Sequence, residues 1–272
     1  MSETVTRQAP VLLLSTVLGR SGVPHAFSTR LGGVSTGIFA SLNFGNPSDI
    51  PAEMRDPPAV IRANWQRCLD ALSCGGRRIV EVHQVHGDVA HPVWRDRPDG
   101  QDWWADGRPS PKADAIVTDD PGVMIAVRVA DCGSVLLADS DGAVVGAVHA
   151  GWRGCAAGVV RRTVAMMRER CRGELRAAVG PCIGPSAFEV GREVVEALPP
   201  VDGAILPHEN PDKAYVDLRA ILMWQLADCG VEEIQAVGGC TFSEPQRYFS
   251  HRRDRGVTGR LMAIIGPAAP SF

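Results

Sequence analysis

The sequence has 272 residues, of which 45% are hydrophobic, 22% charged and 6% aromatic, and its formal net charge is −3 at pH 7. This composition is typical of a globular protein, and the length allows one or two domains. The weakly acidic charge offers no basic surface to nucleic acid or to an anionic membrane, so neither is expected as a partner.

The N-terminal apolar run at 9–14 is too short and too weakly flanked for a signal peptide, and no run is long enough to span a bilayer. The eight cysteines include no CxxC pair and are too sparse for a fold held together by disulfides. We therefore expect a cytoplasmic protein in which most thiols are small core residues.

The first part of the chain predicts loops, one helix and a strand. Residues 21–46 are dense in Gly, Ser and Asn, which is typical of a long functional loop between short strands. The apolar spacing over 57–72 predicts a helix. Residues 81–89, EVHQVHGDV, read as a strand, and the Trp-containing stretch 91–112 reads as a surface excursion.

The rest of the chain mixes strands and helices instead of alternating them. Strands are predicted at 115–118, 123–129, 134–138, 143–148, 176–179, 233–237 and 260–265, and helices at 155–172, 190–198 and 215–229. The sequence has no repeat and no low-complexity linker. We therefore predict a single α+β domain spanning 1–272, with mixed β-sheets packed between helices.

Two histidines, His83 and His86, lie three residues apart within EVHQVHGDV. Strand side chains alternate between faces, so the two cannot point the same way unless the strand ends between them. From the residues alone they are metal ligands, a base with its helper, or ordinary histidines at a strand end.

Three short segments carry residues suited to chemistry, each at the end or edge of a predicted strand. They are QVHG with His86, VADC with Cys132 and VHAGWRG with His149. Two imidazoles and a thiolate suit Zn²⁺, and catalytic zinc typically has three protein ligands and an open fourth position. The spacings are too long for a zinc-finger signature, and a single His or Cys of this kind is more often structural.

Taken together, the motifs are more specific. They are FSTRLGGVS (27–35), SLNFG (41–45), QVHGDV (84–89), ADC (130–132), VHAGWRG (148–154), GPCIGPSAFEVG (180–191), CTFSE (240–244) and FSHRRDRGVTGR (249–260). In these the chain resembles the family long labelled multicopper polyphenol oxidase or laccase-domain protein. The family is also called peptidoglycan editing factor, and its members have been reassigned as zinc-dependent purine nucleoside phosphorylases.

The resemblance implies a metal centre and a reaction. It assigns the metal ligands and the catalytic centre to His86, Cys132 and His149, with Zn²⁺ expected before copper, and leaves His83 as a neighbour. The implied substrates are phosphate and a small-molecule nucleoside, adenosine or inosine, and methylthioadenosine is also considered. A transferase that splits the N-glycosidic bond with phosphate is expected, and an accompanying adenosine deaminase activity, a hydrolase reaction, is considered beside it.

Substrate-binding residues are predicted in the same motifs. Arg30 and Arg153 are candidate phosphate clamps, because guanidinium binds phosphate through two parallel hydrogen bonds. Asn43 is expected to hydrogen-bond the ligand or to cap its loop. Asp131 is expected at the substrate side, where it orients a ligand histidine, or else merely ends a strand.

The sequence departs from the family pattern in two places. Gly133 and Ser134 follow ADC where an apolar residue and proline are usual, and His251 replaces a tyrosine in FSHRRD. Neither departure removes an expected metal ligand, but both are expected to influence substrate preference. Cys182 is read as structural.

The number of histidines in the chain does not fit the laccase label. A blue multicopper oxidase needs one cysteine and roughly ten histidines, many in HxH pairs. This chain has seven histidines and no HxH. Multicopper oxidation is therefore not expected, although copper binds a His/Cys site readily.

Two alternatives stay open. The fold is similar to that of toxin-type cysteine deamidases, in which a Cys–His pair supplies a thiolate nucleophile. Cys132 and His149 would then hydrolyse an amide in a peptidoglycan precursor, and bound metal would exclude that role. A binding module with structural zinc is the other alternative, but it would be expected to close the site with a fourth ligand.

Overall fold

A computed structural model describes residues 8–48, 50–96, 110–171 and 173–269. The strands are β1 Leu12–Leu13, β2 His25–Ser28, β3 Arg78–Val80, β4 Ala90–Val93, β5 Ala115–Thr118, β6 Val123–Val129, β7 Gly133–Asp139, β8 Val145–Ala150, β9 Leu175–Val179, β10 Glu189–Gly191, β11 Ile205–Pro207, β12 Lys213–Val216, β13 Glu233–Ala236 and β14 Leu261–Ile265. The helices are α1 Thr16–Gly19, α2 Pro58–Ala71, α3 Trp152–Ala157, α4 Val159–Arg168, α5 Arg192–Ala197 and α6 Leu218–Asp228.

Two large mixed sheets and one small sheet organise these strands. The five-stranded sheet has the order β1-β2-β14-β6-β3, the six-stranded sheet β13-β9-β7-β8-β5-β4, and the small sheet β10-β12-β11. The pairs β3/β6, β4/β5 and β9/β13 are parallel, and the other pairs are antiparallel. The predicted α+β architecture with mixed sheets is confirmed.

The main core lies between the two large sheets. Phe27 and Ile125 of the five-stranded sheet pack in one cluster with Ile116 and Leu136 of the six-stranded sheet. The next residue of β7, Leu137, belongs to a second cluster beneath helices α4 and α6. Both faces of β7 are therefore buried, which explains the apolar run Val-Leu-Leu-Ala at its centre.

Helices cover the two outer faces. On the six-stranded sheet, α4 and α6 bury Val164 and Leu222 in the second cluster. On the five-stranded sheet, α2 buries Trp65 and Leu69 against Met124. The sheets are thus packed between helices, as predicted. In the described part of the chain, none of the helices combines the length and the apolar character needed to cross a membrane.

Two elements differ from the prediction. Residues 81–89 are not a strand, because β3 ends at Val80, His83 makes only a single bridge, and His86 has a left-handed φ of 60°. The helix predicted over 155–172 begins earlier and is broken into α3 and α4 at Gly158, whose φ is 85°. A left-handed residue cannot continue a right-handed helix.

Several short elements were not predicted. Strand β2 lies inside the predicted 21–46 loop, together with a 3₁₀ turn at Gly37–Phe39. The small sheet of β10, β11 and β12 was also missed. Strand β4 occupies the start of the 91–112 stretch, and the part of that stretch at 97–109 lies outside the described residues.

Candidate metal centre

The fold brings His86, Cys132 and His149 together. One ligand atom from each lies within 4.8 Å of the others, and the two imidazole rings meet edge to face at 4.8 Å. His86 comes from the turn after β3. Cys132 immediately precedes β7 and His149 lies near the end of β8, where the antiparallel register pairs His149 with Ser134, two residues after Cys132.

Asp114 holds two of these residues in position. Its carboxylate accepts backbone N–H groups from Val85, His86 and Gly87 at 3.1, 2.9 and 2.7 Å, and it fixes the left-handed turn there. The same carboxylate lies 2.7 Å from Nδ1 of His149. With a proton on Nδ1, the other ring nitrogen of His149 is free to bind a metal.

The charges of the group are coupled. Burial by itself raises the pKa of Cys132, but the adjoining His149 and His86 rings outweigh it and lower that pKa to about 6. Burial lowers the pKa of His149, but the Cys132 sulfur and Asp114 raise it above its ordinary value. Burial also raises the pKa of Asp114, yet its bonds to His149 and to the turn lower it overall. Cys132 is therefore set up as a thiolate, either for a metal or for use as a nucleophile.

The donor set fits a transition metal such as zinc. A thiolate with two imidazoles is a known ligand set for catalytic zinc, and within the described ranges the cluster has three members, which leaves a fourth position for an external ligand. The backbone of Gly151 packs directly on the cluster: a Cβ there would lie 3.0 Å from Cys132 Sγ and 3.3 Å from the His86 ring. This explains the glycine in HAGW.

The three residues line a cavity of about 600 Å³. Part of its lining is apolar, with Val129, Trp152, Ile183, Phe188 and Leu218. The polar part includes Asn46, Ser48, His83, Gln84, Arg128, Asp131, His251, Arg252 and Arg260. A cavity of this size and mixed lining suits a ligand as large as a nucleoside.

The two arginines predicted to clamp phosphate do not line this cavity. The Arg30 guanidinium donates to the carbonyls of Ala40 and Pro245 and lies 4.4 Å above the Phe249 ring, so it braces loops. Arg153 is exposed and stacks on Trp152. These contacts give no support to the clamp role, which stays a prediction for both residues.

Asn43 also has a structural position. Its side chain is fully buried, donates to Asp56 and accepts the backbone N–H groups of Gly45 and Arg260. No part of it lines the cavity. Of the two roles expected for Asn43, the loop-capping role fits its contacts and the ligand-binding role does not.

Asp131 lines the cavity, but its carboxylate is occupied by the protein. It accepts the hydroxyls of Thr241 and Ser250 at 2.6 and 3.0 Å and the N–H of Arg252 at 2.6 Å. Its backbone is left-handed, with a φ of 84°. The Asp131 carboxylate makes no contact with a ligand histidine in these hydrogen bonds; it holds two chain segments, one with Thr241 and one with Ser250 and Arg252, beside Cys132.

Two further histidines, His83 and His251, lie near the cluster without belonging to it. His83 lines the cavity and pairs with Lys112, but it is not part of the His–Cys–His group. His251, which departs from the family pattern, also lines the cavity. Both are therefore neighbours of the centre.

Four residues near the cavity were not assigned a role from the sequence. Arg252 and Arg260 belong to the recognised FSHRRDRGVTGR motif, so the signal was present but unused. Arg128 is the one charged residue of the apolar strand VMIAVRV, which is a signal of its own. Asp114 is a fully buried acid directly before β5, and only the structure reveals what it contacts.

A family model described as multi-copper polyphenol oxidoreductase laccase matches residues 24–268. The chain belongs to this family. Among its relatives, a protein of Shigella flexneri named purine nucleoside phosphorylase YfiH is 38% identical over 251 residues, which cover 90% of this chain and 93% of the relative. A purine nucleoside phosphorylase of Deinococcus radiodurans is 36% identical over 247 residues, 90% of this chain and 89% of the relative.

Solved structures of laccase-family relatives share the fold. The YfiH protein of Bacillus licheniformis superposes with a TM-score of 0.81 at 31% identity, covering 95% of this chain and 97% of that one. YlmD of Geobacillus stearothermophilus gives a TM-score of 0.78 at 34% identity, with 91% and 93% covered. The family description names copper, but the cluster seen in the described residues has only one cysteine and two histidines.

Proposed function

We propose that this chain is a zinc-dependent purine nucleoside phosphorylase. It cleaves the N-glycosidic bond of adenosine or inosine with inorganic phosphate and releases the free base and ribose 1-phosphate. The observation that carries the proposal is the His86–Cys132–His149 group inside a cavity lined by arginines. The names of the relatives from Shigella flexneri and Deinococcus radiodurans support it.

The three residues would hold the zinc ion. A zinc ion bound there supplies a Lewis acid that polarises an oxygen of the ligand or acidifies a water. Asp114 keeps the Nδ1 proton of His149 and so directs the other nitrogen of that ring inward. Cys132 binds as a thiolate, in keeping with its lowered pKa.

Arg128, Arg252 and Arg260 are the residues that we propose for phosphate. All three line the cavity. Arg128 also pairs with Glu81, and Arg252 and Arg260 also donate to backbone carbonyls, so phosphate would share these guanidinium groups with the protein. Phosphate needs positive charge near C1′ to act as the entering group. A guanidinium–phosphate hydrogen bond is charge-assisted and worth roughly 1.5 to 3 kcal/mol. The apolar lining residues, Trp152 and Phe188 among them, suit the flat face of a purine.

The test is a phosphate-dependence assay with purified metal-loaded protein and inosine or adenosine. We expect hypoxanthine or adenine together with ribose 1-phosphate when phosphate is present, and little cleavage without it. Cleavage at the same rate without phosphate would make the protein a hydrolase. Inosine formed from adenosine would report the accompanying deaminase reaction in the same assay.

Zinc analysis tests the metal ligands separately. Cys132→Ala is expected to lose the metal, because the thiolate is one of three ligands. Cys182→Ala removes a thiol outside the cluster and is expected to keep it. Equal zinc content in the two variants contradicts the assignment.

A second candidate is a cysteine amide hydrolase that acts on peptidoglycan precursors. The observation in its favour is the line from Asp114 through His149 to the Cys132 thiolate, which has the form of a nucleophile, a base and an orienting acid. Metal separates the two candidates, since a zinc-bound thiolate is not a free nucleophile. Amide cleavage by metal-free protein would favour the hydrolase.

A further inference from the structure

Two cysteines outside the candidate metal centre lie next to each other. Cys182, after β9, and Cys240, after β13, are partners in a single parallel β-bridge, and both thiols are free. Paired strands lie about 4.8 Å apart. Disulfides span Cα separations of about 4.4 to 6.8 Å, so backbone spacing allows a bond between these two residues.

The two side chains share one side of this bridge. The Gly184 N–H donates to Cys240 Sγ at 3.1 Å, and a Cβ built on Gly184 would lie 3.2 Å from the same sulfur. Alternate residues of an extended segment face the same way. The side chain of Cys182, two residues before Gly184, therefore points to the side on which the Cys240 sulfur lies.

The two thiols have different surroundings. Cys240 is partly exposed. Its sulfur accepts the Gly184 N–H at 3.1 Å, and it accepts the N–H and the hydroxyl of Ser243 at 3.4 Å each. Burial raises the pKa of Cys240, but these donors outweigh it and lower the pKa overall. Cys182 is 1% exposed, and its burial raises its pKa to about 11.

Arg219 holds the two segments together without a covalent bond. Its guanidinium donates to the carbonyls of Gly238 and Gly239, each at 3.1 Å, and of Gly180 at 3.5 Å. It also approaches the Cys182 thiol and opposes the effect of burial there. A cation beside the buried thiol favours its ionised form when that thiol reacts.

We propose that Cys240 is a peroxide-reactive thiol and that Cys182 resolves its oxidised form into an intramolecular disulfide. An accessible thiolate beside a second cysteine is the arrangement found in redox-sensitive thiol pairs. The oxidant is a hydroperoxide, and the site is distinct from the metal cluster.

The two steps balance. The Cys240 thiolate attacks the peroxide, so that an S–O bond forms, the O–O bond breaks, and the leaving oxygen takes up a proton. The Cys182 thiolate then attacks the Cys240 sulfur, the S–S bond forms, and hydroxide leaves and becomes water with the proton that Cys182 gave up. Two thiols lose two electrons in all, and hydrogen peroxide becomes two water molecules.

The disulfide would form one residue away from contacts that support the candidate centre. Ile183 donates its N–H to the Asp131 carbonyl at 2.9 Å, and Thr241 donates its hydroxyl to the Asp131 carboxylate at 2.6 Å. Asp131 directly precedes Cys132. Chain segments on both sides of the thiol pair thus reach the residue next to a proposed metal ligand.

The test is thiol mapping on the full-length metal-loaded protein after treatment with hydrogen peroxide. Remaining thiols are alkylated, the protein is digested, and the peptides are weighed. We expect a Cys182–Cys240 cross-linked peptide, formed about tenfold faster than any oxidation of Cys229, since reaction follows the thiolate fraction. Cys229 is a matched control because it is also partly exposed, but its pKa is raised by burial.

Variants test the order of the two steps. Cys182→Ser is expected to stop at a sulfenic acid on Cys240 that dimedone traps, whereas Cys240→Ser leaves Cys182 unmodified. Cys229→Ser is expected to behave like the unaltered protein. Cys240 oxidised no faster than Cys229, or oxidised without any cross-link in the unaltered protein, overturns the proposal whether or not the variants fold. The readout is thiol chemistry, so the result is independent of the proposed reaction.

Discussion

The carboxylates of Asp114 and Asp131 fix the backbone on which the candidate metal centre is built. Asp114 accepts three N–H groups from the turn that carries His86, and Asp131 accepts bonds from three residues beside Cys132. His86 and Asp131 both have positive φ, an uncommon conformation outside glycine that costs free energy unless neighbours hold it. The two acids provide those neighbours, and Asp114 additionally orients His149.

At the same scale, substitution of single arginines distinguishes a phosphate site at Arg252 and Arg260 from one at Arg153. Arg252→Met and Arg260→Met are each expected to raise the KM for phosphate about ten- to a hundredfold, because each removes a cationic lining group worth roughly 1.5 to 3 kcal/mol. Arg153→Met is expected to leave that KM unchanged, since Arg153 is exposed and stacked on Trp152. Steady-state phosphorolysis at varied phosphate measures all three.

Zinc content serves as the control for these variants, and it is expected to be the same in each. If Arg153→Met raised the KM for phosphate as much as the other two substitutions, Arg153 would be a phosphate-binding residue, as the GWRG motif predicted. Unchanged phosphate KM in both cavity variants would contradict the proposed phosphate site.

The sequence motifs led to the three residues that the structure brings together, but they did not reveal where the arginine side chains point. His86, Cys132 and His149 were assigned through the family resemblance, and their residue types suit a metal. An arginine is different, since its long side chain reaches a ligand or a backbone carbonyl equally well. Arg30 is in a recognised motif, yet its guanidinium is used by Ala40 and Pro245, and the sequence carries no sign of that.

At the scale of elements, the glycines at the two ends of α3 serve different purposes. Gly151 has an ordinary φ of −70° but lies against the metal cluster, whereas Gly158 has a φ of 85° and open space around it. Gly151→Ala is expected to weaken zinc binding about tenfold, because its Cβ would displace Cys132 or His86. Gly158→Ala is expected to reduce the free energy of unfolding by about 1 to 2 kcal/mol and to leave zinc binding unchanged.

The two readouts are a zinc competition assay with a chelator and urea unfolding. Each variant is the control for the other, since they lie at opposite ends of one short helix. If Gly158→Ala lost zinc while Gly151→Ala kept it, the packing argument for the HAGW glycine would be wrong.

Element prediction succeeded where burial is uniform. Strands β5 and β6 were predicted with their observed bounds, because sheets buried on both faces leave nearly continuous apolar runs. The small sheet was missed because β10 and β11 have three residues each, too few to show a period. The turn at His86 was read as a strand because its geometry depends on Asp114, a contact distant in sequence.

At the scale of the whole molecule, the two large sheets are joined by a shared core and by a polar connection. We propose that the chain is one domain, since residues of both sheets fill the same cluster. Ser15 links the sheets a second time: its N–H donates to His25 of β2 at 2.8 Å, and its hydroxyl donates to Gln235 of β13 at 2.7 Å. Nδ1 of His25 lies 2.9 Å from the Val23 carbonyl. Because Nε2 accepts the Ser15 N–H, the contact with Ser15 needs the neutral ring.

This connection makes the stability of the molecule sensitive to acid. Burial lowers the pKa of His25 below its ordinary value of 6.5, despite its backbone hydrogen bonds. Between the two values the unfolded chain binds more protons than the folded one, so the free energy of unfolding falls as the pH drops below about 6.5, by up to about 1.4 kcal/mol per pH unit. Above that pH the contribution is constant.

His25→Gln keeps a donor and an acceptor but does not titrate, and it is expected to show a smaller loss of stability between pH 7.5 and pH 5.5. Urea unfolding at both pH values measures the difference, and the other histidines cancel because both proteins contain them. Equal pH dependence in the two proteins would contradict a lowered pKa for His25 in the folded protein.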